Sequence, residues 1–490
     1  MNEICSIPLT CEDISDKELA KQWNKTPLKK AHAFIKRLQT RIAKAVKEGK
    51  YRLAKRLQYL LVNSFYAKLL AVKRVTTNRG RRSAGVDGVK WTTPQEKMRA
   101  VLRLTGKGYR ASPLRRIFIP KPHSGKFRPL SIPTMFDRAM QALYALALIP
   151  WAEVTADRTS FGFRMKRNAQ DAAVYSFQCL SRKDSAQWIL EGDITGCFDN
   201  FTHSWLLDNI PLDTRVLNQF LSAGFIYDGI LYRNTSGTPQ GGLISPLLAN
   251  MALDGMERAL KEHFPGKKVH LIRFADDFLV TAESQEEAGR CKEVIIDFLK
   301  ERGLELSEEK TRIVHIDDGF DFLGWEFRKF KGKLIIKPSR KAIAAITEKL
   351  SDIIKSAKAW SQDELIKSLN PVIRGWAMYH RSVSSSVIFS KLDWILRGML
   401  WTWAKRRHNN KGKGWISRKY WQPTLNRKQV FRTTTRKLVN FTDTKIRYRR
   451  FLRLGANTFL NSDYFQGRSG IFLSTQKSIR TFLFCAHKSG

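Results

Sequence analysis

Residues 270–280 read HLIRFADDFLV, and residues 187–193 read QWILEGD. Each is an apolar run rich in β-branched and aromatic residues that meets an acid, the pattern of a strand with a buried body and a charged end. A lone Asp-Asp dipeptide is more often just a polar turn. Here apolar residues flank Asp276 and Asp277 on both sides, which makes the pair the tip of a buried hairpin. Two adjacent charges at such a tip are costly unless a cation lies between them. A strand ending in Asp193 beside that hairpin would bring carboxylates from distant sequence to one rim of a sheet, a hard-oxygen set suited to Mg2+.

Outward from these two runs, strands alternate with helices. Residues 116–134 (RIFIPKPHSGKFRPLSIPT) read as short strands around a turn, an apolar helix follows over Met140 to Leu148, and FDFLGWEF (320–327) reads as an aromatic strand. A mixed α/β sheet with helices on one side is the expected layering. Upstream, residues 28–76 read as basic amphipathic helices, with Leu38, Ile42 and Val46 on one stripe that Leu53, Leu57, Leu60 and Leu61 resume after Gly49. The apolar stretch Ala142 to Trp151 is too short for a membrane span and is expected to break at Pro150. From about Lys337 the character turns helical, with Ile343, Ile346, Leu350, Ile353 and Ala357 on one face.

Composition then limits the partners. The 490 residues are 43% hydrophobic and 27% charged, enough for several packed units, and 87 Lys plus Arg against 44 Asp plus Glu give a formal net charge of +43. So large an excess repels itself unless a polyanion neutralises it, and nucleic acid is the expected partner. Between Trp401 and Arg450 sixteen Lys or Arg face one acid, Asp443, with Trp401, Trp403, Trp415, Tyr420, Trp421, Phe431 and Tyr448 interleaved. Cations for phosphates and aromatic planes for unstacked bases suit RNA or a single strand. Six scattered cysteines without a CxxC pair, and a polar, acidic N-terminus, point to free thiols in a reducing compartment: bacterial cytoplasm or nucleoid, with an organelle left open.

The succession RIFIPKPHSGKFRPLSIPT, FGFRMKRNAQDA (161–172), EGDITGCFDN (191–200), GTPQGGLISPLLAN (237–250), RFADD, GLELSEEKT (303–311) and FLGWEF resembles the ordered motifs of group II intron-encoded reverse transcriptases. AGVDGV (84–89), RGWAMYHRS (374–382) and WAKRRH (403–408) extend the resemblance to nearly the whole chain from about residue 30. It implies a right-hand polymerase fold of fingers and palm, then an α-helical thumb or maturase domain and a basic tail. The implied boundaries are 1–90 for a basic helical extension, 91–336 for fingers and palm, 337–420 for the thumb and 421–490 for a DNA-binding tail. The activity implied is RNA-directed DNA synthesis by a two-metal mechanism.

Residue by residue, the resemblance makes Asp193 and Asp276 the ligands of two Mg2+ ions, with Mn2+ as a substitute, the Ile194 carbonyl a further ligand and Asp277 adjacent. Phe198 becomes the plate under the incoming sugar that excludes a 2′-hydroxyl; otherwise it is a core Phe. Lys121 and Arg128 grip the triphosphate, Gln240 packs against the nucleotide, and Asp199 is structural. Lys310 either protonates the leaving pyrophosphate or pairs with Glu308 or Glu309. Trp376, Tyr379, His380, Arg406 and Arg407 fall to intron RNA, with helix packing an equal reading for Trp376 and Tyr379. Expected partners are the intron RNA, an RNA template with DNA primer, deoxynucleoside triphosphates and target DNA, and no membrane.

Two departures stand out. Phe274 replaces the usual Tyr of the metal hairpin, which keeps the ring. The closing CAHKSG holds one cysteine and one histidine, too few for the zinc-bound endonuclease of many relatives. Two competing readings remain, a splicing-only RNA-binding maturase and a domesticated reverse transcriptase in defence or diversification. The clustered carboxylates count against the first, because a binding protein has no use for them, and the thumb motifs against the second.

Overall fold

The computed structural model describes residues 15–120, 125, 127–424 and 427–469. The chain divides into two compact units, one formed by Met1–Asn168, Leu190–Arg312 and Arg453–Gly490, the other by Ala169–Ile189 and Ile313–Leu452. The strands in chain order are β1 (Leu114–Pro120), β2 (Phe127–Ile132), β3 (Trp188–Gly192), β4 (Phe225–Tyr227), β5 (Ile230–Tyr232), β6 (His270–Phe274), β7 (Asp277–Ala282), β8 (Arg312–His315), β9 (Phe320–Phe322), β10 (Trp325–Phe330), β11 (Lys333–Pro338), β12 (Trp421–Thr424) and β13 (Arg427–Phe431).

In the first unit, helices Leu28–Lys47, Tyr51–Asn63 and Phe65–Thr77 pack on the long apolar helix Met135–Thr155. That helix runs through Pro150 instead of breaking there. Proline removes the N–H that would reach the carbonyl four residues back, at Leu146. The Gln39 side-chain amide replaces it, donating to the Leu146 carbonyl at 2.8 Å, and Gln58 donates to Ala147 at 3.2 Å. The stripe expected in Tyr51–Asn63 is only half realised: Ala54, Leu57, Gln58 and Leu61 are buried, whereas Leu53 and Leu60 lie on the flank and face solvent.

Two sheets follow. The first has the order β2-β1-β4-β5, with β1 and β2 antiparallel, β1 and β4 parallel, and β4 and β5 antiparallel. The second runs β6-β7-β3, with helices Gln285–Lys300 against β7 and Met256–His263 against β6. β6 and β7 form the antiparallel hairpin read from HLIRFADDFLV, paired from His270↔Thr281 to Phe274↔Asp277. Gly192 in β3 lies so close to the hairpin that a Cβ there would fall 2.1 Å from the Phe278 ring.

The second unit contains the sheet β11-β10-β9 and three long helices, Arg340–Ser356, Gln362–His380 and Ser386–Arg406. FDFLGWEF is two strands, because Leu323 and Gly324 take positive φ (52° and 81°) and reverse the chain between β9 and β10. The helices share a core of Ile346, Leu350, Leu365, Leu369, Ile373, Leu392, Leu396 and Leu400, into which Phe441 inserts. The Asp393 carboxylate fixes that insertion by accepting from the backbone N–H groups of Phe441 (2.7 Å) and Thr442 (3.1 Å). Among the described residues Cys179, Cys197 and Cys291 are free thiols, and no helix is long and apolar enough to cross a membrane.

Gln39→Leu should leave the half-buried Leu146 carbonyl without its donor and lower stability to urea by about 1 kcal/mol. In a Pro150→Ala background, where the helix regains its own N–H, the loss should shrink. Equal losses in both backgrounds would refute this account of the helix.

Candidate active site and nucleic-acid interface

The register Phe274↔Asp277 leaves Ala275 and Asp276 as a two-residue turn, with Ala275 at φ 61°. A left-handed conformation in a residue with a Cβ costs on the order of 1–3 kcal/mol and persists only where its surroundings impose it. Arg273, wholly buried beneath the turn, is central to those surroundings. Its guanidinium donates to Asp254 (2.5 Å), to the Asn250 side-chain oxygen (3.2 Å) and to the Ala275 carbonyl (3.4 Å), with Asp157 at 4.0 Å. Asn250 in turn donates to the Gly162 carbonyl at 2.7 Å. Residues 159–162 run along β6, Phe161 donating to Arg273 (2.8 Å) and Arg273 to Thr159 (3.1 Å). A Cβ on Gly162 would stand 2.4 Å from the Ala275 nitrogen, so only glycine permits this approach.

Asp193 follows β3 and meets the hairpin. Its carbonyl accepts from Ser307 (2.8 Å) and the Thr195 N–H donates to Glu305 (3.0 Å), a bridge that does not use the Ile194 carbonyl. Burial pushes both Asp276 and Asp277 upward in pKa, and neighbouring carboxylates add to it: Asp193 for Asp276, and Asp276 with Asp193 for Asp277. Lys310 and Arg128 oppose the rise at Asp276. Lys310 is paired with neither Glu308 nor Glu309: its ammonium meets Asp193 Oδ2 at 2.7 Å, and that hydrogen bond raises the lysine's own pKa.

Among the described residues no three His, Cys, Asp or Glu side chains converge tightly enough to enclose a metal ion by themselves. Two hairpin carboxylates whose pKa values neighbouring acids raise, plus a carbonyl left out of its bridge, fit a hard cation. Mg2+ asks for one or two protein carboxylates and takes water and phosphate oxygens for the rest.

Beside the carboxylates, the loop 236–242 is fastened to the turn that follows β3. Gly237 (φ 74°) donates to the Phe201 carbonyl and Thr238 to the Phe198 carbonyl, and a Cβ on Gly237 would overlap the Asp199 backbone at 2.4 Å. The Gln240 amide donates to Asp199 Oδ2 at 2.7 Å, while the Gln240 carbonyl accepts from Ser131 at the end of β2. Asp199 therefore orients Gln240. Phe198 is half-buried, edge-on to Phe163 at 6.4 Å between ring centres, and lines an open pocket of about 320 Å³ with Asp199, Arg116, Phe225, Thr238 and Pro239. Arg128 lies on β2 opposite Ile119. Lys121 lies outside the described residues.

In the second unit the expected RNA-contact residues separate. Trp376 and His380 are 8% and 3% exposed, Trp376 packing on Phe389 and Phe441. Tyr379 stacks on Trp325 at 4.8 Å and donates from its hydroxyl to the Leu323 carbonyl. Trp376 and His380 are thus buried in the second unit, and Tyr379 is half-buried against Trp325. Arg406 is exposed; Arg407 is exposed too, but donates to the Trp360 carbonyl at 2.6 Å and lies over the Trp403 ring.

Sequence reasoning singled out neither Arg273 nor the Gly162–Phe163 pair. A glycine between two phenylalanines, Phe161-Gly162-Phe163, was the available signal for a close backbone approach.

Family models match along the chain in order: "N-terminal domain of reverse transcriptase" over residues 23–104, "Reverse transcriptase (RNA-dependent DNA polymerase)" over 119–327, and "Group II intron, maturase-specific domain" over 343–421. Group II intron-encoded protein LtrA of Lactococcus lactis subsp. cremoris is 29% identical over 341 residues, a match spanning 55% of this chain and 56% of LtrA. The chain thus spans little more than half of that relative. Protein YkfC of Escherichia coli (strain K12) is 31% identical over 304 residues, 52% of this chain and 79% of YkfC. Maturase-like protein 1 of Euglena gracilis is 26% identical over 353 residues, 68% of this chain and 73% of that protein. Reverse transcriptase and maturase signatures thus follow one another on a single polypeptide, and the chain belongs to the group II intron-encoded reverse transcriptase and maturase family.

Proposed function

We propose that the protein copies RNA into DNA and also binds its own intron RNA, promoting splicing and, by priming at a cut DNA target, intron mobility. The observation that carries this reading is the convergence of Asp193, Asp276 and Asp277 with Lys310, next to the Phe198, Asp199 and Gln240 platform. Residues 91–336 serve as the polymerase core, 1–90 and 337–420 as RNA-gripping flanks, and 421–490 as a basic surface for target DNA.

Two Mg2+ ions, or Mn2+, would be held by Asp193, the Ile194 carbonyl and Asp276, with Asp277 beside them. When bound, they activate the primer 3′-hydroxyl and stabilise charge on the departing pyrophosphate. The chain's own side chains do the rest. Arg128, joined by Lys121, grips the triphosphate, its planar fork matching phosphate oxygens. Gln240, oriented by Asp199, packs against the nucleotide. The Phe198 ring excludes a 2′-hydroxyl. Lys310, released from Asp193, donates its Nζ proton to the leaving pyrophosphate oxygen.

Primer extension on an RNA template with Mg2+ and deoxynucleotides tests the chemistry. Asp276→Ala should fall at least about a hundredfold, since a ligand lost from such a site removes several kcal/mol of barrier lowering. No synthesis by the wild type, or undiminished synthesis by the variant, would defeat the polymerase assignment. In the same assay Phe198→Ala should raise ribonucleotide incorporation relative to deoxynucleotide about 10–100-fold, the range a hydroxyl-sized discrimination spans. An unchanged ratio would return Phe198 to the core. For splicing, precursor RNA carrying the intron at low Mg2+ should be excised faster with protein than without. Excision at the same rate, with binding no tighter than to unrelated RNA, removes the maturase role.

A further inference from the structure

Helix Ser386–Arg406 buries Phe389, Leu392, Leu396, Leu400 and Trp403 against the second unit's core. Its opposite face repeats at three- and four-residue steps through Val387, Lys391, Trp394, Gly398, Thr402 and Lys405, all exposed. Trp394 is 76% exposed and Val387 80%, unusual for side chains of this size. The acid nearest in sequence, Asp393, points the other way, accepting from Phe441 and Thr442. The face is therefore cationic and aromatic, with Arg397, hydrogen-bonded to Gln429, at its edge.

Gly398 supplies a second, independent observation. Mid-helix glycine is unfavourable relative to alanine. Nothing in the fold requires it, because a Cβ there would meet no atom within 4 Å and its φ is not positive. A helical side chain leans toward the N-terminus, so the Trp394 ring covers the turn of Ser390 and Lys391 and leaves its C-terminal side open above Gly398. The missing side chain keeps that space empty beside an exposed ring.

We propose that this face is a platform for single-stranded RNA: an unpaired base stacks on Trp394 in the space Gly398 leaves, and Lys391 and Lys405 take flanking phosphates. Lys391 lies about 4.5 Å and Lys405 about 16 Å along the axis from Trp394, so the strand engages over more than one nucleotide. Charge favours RNA over an apolar protein surface, which would have to bury these ammonium groups unpaired. The platform rests on the reading above that the protein binds RNA, and gives that binding a preference for unpaired nucleotides.

The test compares binding of a fluorescein-labelled, unstructured oligoribonucleotide with binding of a fully paired RNA duplex of the same length, by anisotropy across a salt series. Trp394→Ala and Gly398→Gln should each weaken single-strand binding about tenfold, the scale of one lost stacking contact, and leave duplex binding unchanged. The slope against salt should stay the same for both, whereas Lys391→Ala should flatten it. Trp394→Phe should recover most of the affinity. Gly398→Ala should raise the thermal midpoint while weakening single-strand binding, a combination that a purely structural glycine does not produce. Equal losses on single strand and duplex, or no loss with Trp394→Ala, would overturn the platform while leaving RNA binding intact. A wild-type dimer that Trp394→Ala dissociates in sedimentation would make the face a self-interface instead. Failure of the wild type to bind either RNA would remove the RNA-binding reading and the platform together.

Discussion

A guanidinium without solvent contact, that of Arg273, sits directly beneath the Ala275–Asp276 turn, and much of the first unit's arrangement follows from satisfying it. An unpaired charge in that position would be prohibitive, so Asp254, Asn250 and Asp157 have to be where they are. The same guanidinium reaches forward to the Ala275 carbonyl, the residue whose backbone is strained, and through Asn250 to Gly162. Turn, strand and the neighbouring 159–162 segment are thereby held as one rigid piece. A second buried pair, Arg164 with Glu153 at 2.9 Å, fastens the continuation of that segment to the long helix. Precision at the tip of a hairpin is thus obtained from charges placed below it, where solvent cannot compete.

Opposite those charges stand the carboxylates, and here the balance is deliberately incomplete. Three acids share one rim with Lys310 and Arg128 as counter-charges. The lysine hydrogen-bonds Asp193 and tempers the hairpin acids, which nonetheless keep raised pKa values. A fold that needed only stability would have replaced one of them; polar groups kept at a cost are what a site for charged chemistry looks like.

How much of this was legible depended on range. The hairpin could be read because its signal is local: apolar residues on both sides of an acid pair, a tight turn, and a strand ending in Asp193. The loop 236–242 was legible only as part of the motif that carries Gln240; the closure of Gly237 on the Asp199 backbone was not, because its partner is distant in sequence. Arg273 was not, because a charged residue inside a strand pattern reads as a solvent-facing position until its partners on other helices are known. Pro150 misled for a similar reason: local chemistry forbids the helix hydrogen bond, and only Gln39, 107 residues away in sequence, makes it good. Lys310 has two glutamates as sequence neighbours and pairs instead with an acid 117 positions distant. Trp376 and His380 carried an aromatic-plus-basic signature that suits both RNA and a helical core, and their burial is a property of the fold that no local pattern announces.

The Gln39 and Gln58 contacts to the long helix also bear on how separable the parts of this polypeptide are. Hydrophobic packing between two elements can be cut and re-covered with polar substitutions, but a backbone carbonyl orphaned by proline cannot be recoded, since every residue carries one. The N-terminal helices are thus a hydrogen-bonding component of the first unit's central helix, not an appendage to it. A shortened derivative that begins after them would hand the Leu146 carbonyl to water and uncover the apolar face they pack on, so miniaturising the chain from this end would call for replacing Pro150 and re-covering that face.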